Sequence, residues 1–324
     1  MNPLAVSRQS TFAIQPSAPF HFDGTFHKPS RFPAPLDAWE PGKFWTAMRI
    51  GASVYGLKVT NAGVASRPKI RVDVFHRRKP AASELKAIRA EISWRFDLET
   101  DLSELNRAAR ADRRFAPVFR RWRGSRTAIG LSLYELMIVS IVLQNATVRR
   151  TVQMMNALLE QFGTPIAFDS HTLYAIWRPD DMRDVSEQDL RALKVGYRAR
   201  FIKRLSDDFA AGSVDETAIR SMDLETARRE LMKLYGVGPE TAQILLYPAC
   251  HRNGPMHHIA PWQQKIYSRI FYGRGLVPAA KILADLNRRY GMWATLAVSY
   301  VWEDLFWRRK RGERIAWLER EIRL

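Results

Sequence analysis

The spacing of apolar residues changes once along this chain, and that change restricts the fold more than any other feature. Between residues 44 and 76 apolar positions alternate: Tyr55, Leu57 and Val59, then Ile70, Val72 and Val74. A period of two lays one face of a strand on a core, which predicts strands over residues 44–48, 54–60 and 69–76. From Ala81 to about Phe96 the apolar residues Leu85, Ile88, Ile92 and Phe96 recur at three- and four-residue steps, the repeat of a helix. Beyond about Asp97 the chain reads as almost wholly helical. The expected class is α+β, with a small N-terminal antiparallel sheet domain over residues 1–96 and a mostly α-helical domain over residues 97–324. Residues 1–10 read as a frayed, disordered end, and residues 12–35 are rich in Pro, Phe and His without helical period. Residues 164–186 carry Pro165, Pro179 and several acids and read as mostly loop, with Leu173, Ile176 and Trp177 docking on the core.

Inside the helical part, Leu234-Tyr235-Gly236-Val237-Gly238-Pro239-Glu240-Thr241-Ala242 is a Gly-x-Gly turn between two helical repeats. Asp223 is placed as N-cap of the first helix, along which Leu224, Ala227, Leu231 and Leu234 recur. Pro239 suits the first position of the second helix, and Ala242, Leu245, Leu246 and Ala249 continue its apolar face. So tight a turn leaves the first N–H groups of the second helix pointing outward, and the glycines let another backbone come close. That arrangement is an anion site.

The charge agrees with an anionic partner. Lys and Arg number 51 against 33 Asp and Glu, a formal net charge of +18, which draws a protein toward polyanions and leaves DNA, RNA and an anionic membrane open. No run approaches the roughly 18 apolar residues of a membrane helix. Residues 1–15 lack the apolar core of a signal peptide, so a soluble intracellular protein with no membrane partner is expected. Cys250 is the single cysteine, which excludes an intramolecular disulfide framework and a four-cysteine iron–sulfur cluster. The seven histidines show no ligand spacing, and the adjacent His257 and His258 point apart on regular structure, so no metal and no cofactor is expected.

The turn and its flanks resemble the helix-hairpin-helix of the DNA glycosylase superfamily, whose hairpin runs Leu-x-Gly-Val-Gly-x-x-Thr-Ala. The sheet domain ahead of it resembles, by position and pattern, that of the 3-methyladenine glycosylase II and 8-oxoguanine glycosylase branches. The apolar segment 131–143 ends in Gln144-Asn145-Ala146-Thr147. It resembles the family helix that ends in a Gln- or Asn-bearing loop, whose side chain fills the gap left by an extruded base. The resemblance implies that Asn145 is the wedge with Gln144 beside it, while the plainer alternative has both merely capping the helix. Segment 190–201, LRALKVGYRARF, resembles the family's Leu-Gly-x-Gly-Tyr-Arg-Ala-Arg-Tyr, with Lys194 departing from it. Arg198 and Lys203 are candidate phosphate contacts there, and an exposed basic helix face explains them equally well. Segment 296–307 resembles the C-terminal helix of the alkylation-repair branch, and its Trp302, Phe306 and Trp307 read as core.

What the family implies is a partner, duplex DNA containing damaged bases, in the cytoplasm (bacterial nucleoid) or the nucleus. Gly236, Gly238 and Thr241 would hold phosphates. No protein partner is inferable. Excising a base breaks a C1′–N bond through a transition state with positive charge on the sugar, which a carboxylate stabilises while it orients water. In the family that carboxylate is an Asp at the start of the helix after the hairpin. Here Pro261, Ile266 and Arg269 align with the pattern and Gln263 stands where the Asp is expected. An amide keeps shape and hydrogen bonds but carries no charge. Three readings stay open: a lesion-binding homologue without chemistry, an altered form of an enzyme that carried an acid, and an enzyme for labile cationic alkylated bases. RNA binding through the basic helices is a further alternative. His258 is a candidate for orienting water, weighed against a buried structural histidine. Glu240 stands where bifunctional relatives carry a Schiff-base Lys, which argues against a lyase. Trp262 is placed in the base pocket, where an aromatic face would stack on a cationic base.

Overall fold

The computed structural model describes residues 3–127 and 129–322, apart from the side chains of Glu240, Pro248 and Ile322. Its strands are β1 (Leu4–Ala5), β2 (Arg8–Ile14), β3 (Asp37–Glu40), β4 (Lys43–Ile50), β5 (Ser53–Asn61), β6 (Ile70–His76), β7 (Thr164–Phe168) and β8 (His171–Ala175). The helices begin with α1 (Phe22–Phe26), α2 (Ala82–Arg95), α3 (Ser103–Ala111), α4 (Ala116–Arg121), α5 (Leu133–Leu143) and α6 (Val148–Phe162). They continue with α7 (Glu187–Ala192), α8 (Arg198–Ala210), α9 (Glu216–Ser221), α10 (Leu224–Lys233) and α11 (Pro239–Cys250). The last are α12 (Pro261–Tyr267), α13 (Ala279–Tyr290), α14 (Ala294–Lys310) and α15 (Ala316–Ile322). This is the α+β class expected from the change of period. Among the described residues no helix is long and apolar enough to cross a membrane.

Packing gathers the chain into two compact units, Met1–Thr100 with Gly124–Asp215, and Asp101–Arg123 with Glu216–Leu324. Sorting by packing thus differs from sorting by secondary structure, since the mostly helical stretch 124–215 shares a unit with the sheet. In the first unit β2-β6-β5-β4-β3 form an antiparallel sheet. The alternation read between residues 55 and 74 turns Leu57, Val59, Val72 and Val74 onto Ile88, Ile92 and Phe96 of and beside α2. The opposite face carries Trp45 and Phe75, which pack on Val6, Ile166, Phe168 and Leu173. Ile166, Phe168 and Leu173 belong to a second sheet, β1-β7-β8, and Val6 directly follows β1. Gly56 permits this approach, because a Cβ there would lie 2.5 Å from the Phe168 ring.

Two segments differ from expectation. Residues 4–14, read as frayed through Ser10, form β1 and β2; β2 pairs with β6 from Arg8↔His76 to Ile14↔Ile70. An edge strand with Arg8, Gln9 and Ser10 at its start shows little alternation, yet the pairing groups of β6 hold it. Residues 164–186 are not mostly loop, for β7 and β8 pair from Thr164↔Ala175 to Phe168↔His171. Five-residue strands interrupted by Pro165 carry too short a period to read. Leu173, Ile176 and Trp177 are buried there as expected.

In the second unit α14 is lined by buried residues on most of its surface, from Leu296 to Trp307. Phe306 and Trp307 are core and Trp302 is half-buried. Asp304, 4% exposed, accepts from Trp122 Nε1 at 2.7 Å and Arg121 Nη1 at 2.5 Å, which fastens α4 to α14. Helix α12 packs on α14 and α15 through Ile266, Leu305, Phe306 and Leu318.

Candidate nucleic-acid interface and catalytic helix

The hairpin lies within the second unit. Asp223 caps α10 as expected, its Oδ1 accepting from the N–H groups of Glu225 and Thr226 at 3.0 Å each. Those bonds, Thr226 foremost, hold its carboxyl below the ordinary 3.8. Ala227 and Leu231 are buried, and α10 packs along α11. Gly236 has φ +83°, a left-handed conformation that a side chain adopts only with strain. Gly238 is the N-cap of α11 in extended backbone, φ −90° and ψ 178°, with Pro239 in the first turn. Any residue takes that conformation, and among the described residues no atom lies within 4 Å of where a Gly238 Cβ would be. Neither folding nor crowding requires glycine there, and Ser, Asp or Asn would cap the helix better. Glycine at this position leaves the start of α11 open to solvent. Both glycines are exposed, and among the described residues no acceptor binds their N–H groups. Thr241 is half-buried in the first turn of α11. The side chain of Glu240 lies outside the described residues.

Between α11 and α12 the chain runs without regular structure, held by two side-chain amides that no sequence pattern singles out. Gln243 Oε1, on α11, accepts from the N–H of His257 at 3.2 Å and of His258 at 3.1 Å. Asn287, on α13, accepts from the Met256 N–H at 2.8 Å and donates to the Met256 carbonyl at 2.9 Å. Amides opposite an irregular backbone have no sequence spacing to betray them. His258 is exposed, so the core-histidine alternative does not hold.

Gln263 is the third residue of α12, and its Oε1 folds back to accept the Ala260 N–H at 3.0 Å. This is one half of a capping box, the other half being absent because Ala260 has no side-chain acceptor. The first turn of α12 contains no acid. Gln264 donates to the Val277 carbonyl at 2.7 Å, and beyond Tyr267 the helix widens into a π-turn over Ser268–Tyr272. Trp262 is 51% exposed and meets Trp302 edge-on, ring centroids 5.7 Å apart. Tyr267 is buried and burial pushes its phenol up, so it is no proton acceptor near neutral pH. Among the described residues no three His, Cys, Asp or Glu side chains converge as a metal set.

The other predicted residues lie in the first unit. Asn145 is exposed at φ +48° between α5 and α6, a left-handed conformation that Asn tolerates. Its Nδ2 donates to the Tyr197 hydroxyl at 3.3 Å. Gln144 is half-buried, and its carbonyl accepts from the Tyr197 hydroxyl at 3.4 Å and from Arg198 Nη2. Arg198 is 7% exposed, so it braces this loop from beneath rather than facing solvent as a phosphate contact. Lys203 Nζ donates to the carbonyls of Met182 and Arg183 and to Asp207 Oδ1, which occupies all three of its donors. Lys194 has φ +61°, which accounts physically for the glycine its position holds in the resembled pattern.

No family model matches the chain. A probable N-glycosylase/DNA lyase of Methanothermobacter thermautotrophicus is 27% identical over 236 residues, 67% of this chain and 74% of that protein. A DNA-3-methyladenine glycosylase of Bacillus subtilis is 23% identical over 225 residues, 65% of this chain and 70% of that protein. Among solved structures, the 3-methyladenine DNA-glycosylase from Archaeoglobus fulgidus superposes with a TM-score of 0.72 at 17% identity, covering 91% of this chain and 99% of that one.

Proposed function

We propose that this chain, whose relatives in sequence and in fold are DNA glycosylases of the helix-hairpin-helix superfamily, acts in base-excision repair on duplex DNA that contains alkylated bases. The observation that carries the reading is Gly238, an exposed helix N-cap that is glycine without any need of the fold. The N–H groups of Gly236 and Gly238, with the first turn of α11 at Thr241, take DNA phosphates. Asn145 enters the duplex beside Gln144 when the damaged base leaves the stack. Helix α12 faces the sugar, and Trp262 stacks on the extruded base.

The reaction is hydrolysis of the N-glycosidic bond without strand cleavage, since Glu240 replaces the lysine a lyase would need. Gln263 brings no charge to the cationic sugar. Catalysis then depends on a base that is already cationic and leaves readily, with His258 orienting water. The second reading, a damaged-DNA-binding protein without chemistry, has its own support: the carbonyl oxygen of Gln263 already accepts the Ala260 N–H.

Single-turnover release of base from alkylated duplex DNA separates the two, comparing the unchanged chain with Gln263→Asp and Gln263→Glu. A glycosylase scaffold gains on the order of a hundredfold or more from the restored charge. Release by the unchanged chain that neither variant improves would remove Gln263 from the catalytic position. No release from any of the three leaves the binding protein.

A further inference from the structure

The segment 101–123 of the second unit holds seven arginines, three acids and no lysine. Its acids are all engaged. Asp101 Oδ1 accepts from the Ser103 N–H and hydroxyl, and Glu104 accepts from Trp293 Nε1 at 3.1 Å. Asp112 accepts from the Tyr290 hydroxyl at 2.6 Å and faces Arg289 at 3.7 Å. Two of the arginines have partners. Arg114 donates to the carbonyls of Ile270 and Phe271, and Arg121 pairs with Asp304. The other five, Arg107, Arg110, Arg113, Arg120 and Arg123, are exposed, and among the described residues none has a hydrogen-bond, ion-pair or aromatic partner.

Their placement is ordered. Arg107 and Arg110 sit three apart on α3, opposite the buried Leu105 and Ala109. Arg113 lies in the connection to α4, and Arg120 and Arg123 flank the buried Phe119 and Trp122. Arg311, past the end of α14, lies over the Trp122 ring at 5.6 Å and extends the same flank. Four basic residues of 178–207 behave differently, for Arg178, Arg183, Arg191 and Lys203 each pair with an acid three or four residues away. A flank that served only solubility would mix its signs in that way. Five unpaired like charges repel one another in the free protein and are relieved by a polyanion. Arginine in place of lysine suits phosphate, which its planar fork meets with two donors. Helices α3 and α4 pack on α13 and α14, whereas α10 and α11 pack on each other and on α9. The flank is built on a different set of helices from the hairpin.

We propose that the α3–α4 flank is a second nucleic-acid contact surface, taking the phosphate backbone of duplex DNA independently of the hairpin. It rests on the functional reading above only for the choice of DNA as the polyanion. The test is the salt dependence of binding by the full chain to undamaged duplex DNA and to structured RNA, for the unchanged chain, the variant carrying Arg107→Gln, Arg110→Gln, Arg113→Gln, Arg120→Gln and Arg123→Gln, and Gly238→Asp. Removing one cation from a phosphate lowers the slope of log affinity against log salt by about 0.9, so the slope of the five-site variant falls by about 4.5 units if all five engage. An unchanged slope on DNA overturns the proposal, and so does a slope that falls on RNA alone. If the five-site variant unfolds, the pairs Arg107→Gln with Arg110→Gln and Arg120→Gln with Arg123→Gln should each lower it by somewhat under about 2 units. A fall in the arginine variant beside an unaffected Gly238→Asp would sink the hairpin reading and leave this one standing.

Discussion

The turn after α5 and the turn before α11 are both short helix-to-helix connections in a basic chain, and they handle their polar groups in opposite ways. At the first, Arg198 and the Tyr197 hydroxyl reach up to the Gln144 carbonyl, and the Arg150 guanidinium donates to the Lys194 carbonyl. The cations there hold backbone, and Asn145 faces outward. At the second, among the described residues, exposed glycine N–H groups meet no acceptor and no atom lies within 4 Å of where a Gly238 Cβ would be. Net charge does not separate these cases. What separates them is whether each donor already has an acceptor inside the protein.

Gly238→Asp should break the contrast most sharply. Aspartate is a good N-cap and suits the positive end of a helix, so the unfolding midpoint should hold or rise. The same charge repels phosphate, and DNA affinity should fall at least about tenfold, or about 1.4 kcal/mol. Equal affinity in a titration at fixed salt would end the assignment of the hairpin as phosphate site. Arg198→Met tests the inward-built turn, where loss of a buried charged donor should cost about 1–3 kcal/mol in denaturant unfolding. If Arg198 contacts phosphate instead, stability will hold and the salt slope of DNA binding will drop.

Asn287→Ala removes two bonds to Met256 and should cost about 1–2 kcal/mol, with faster hydrogen exchange confined to the chain between α11 and α12. Exchange spread evenly over the second unit would contradict a local clamp. Lys194→Gly sharpens the first turn, for it relieves a left-handed lysine and should stabilise by about 0.5–1 kcal/mol after the entropic cost of glycine. The smallest effect is a pH dependence at α10. The Asp223 carboxyl titrates below its ordinary 3.8, so its contribution is full above about that pH and is lost as pH falls through the depressed value. Asp223→Asn should abolish that part of the acid dependence, which acid titrations of the two proteins compare.

Much of the fold was legible because it rests on long periodic segments. The strands around Leu57 and Val72, the helix of Ile88 and Ile92, and the hairpin from its cap at Asp223 to Pro239 stand where their spacing puts them. β1, β7 and β8 were not legible, being two to five residues long and held by partners remote in sequence. Gln263 was legible as a missing acid through its alignment, but its bond to Ala260 was not. Arg198 and Lys203 looked like surface cations because basic composition is all that a sequence records of them.

By itself the sequence determined the class of fold, the hairpin and the absence of a carboxylate at the start of α12, since periodicity, glycine and residue identity are local properties. Only the tertiary structure decided which cations face outward. A guanidinium is held inside or released to solvent by the carbonyls and carboxylates that other elements bring to it, and for Arg198 and Arg120 those neighbours differ although the residues do not.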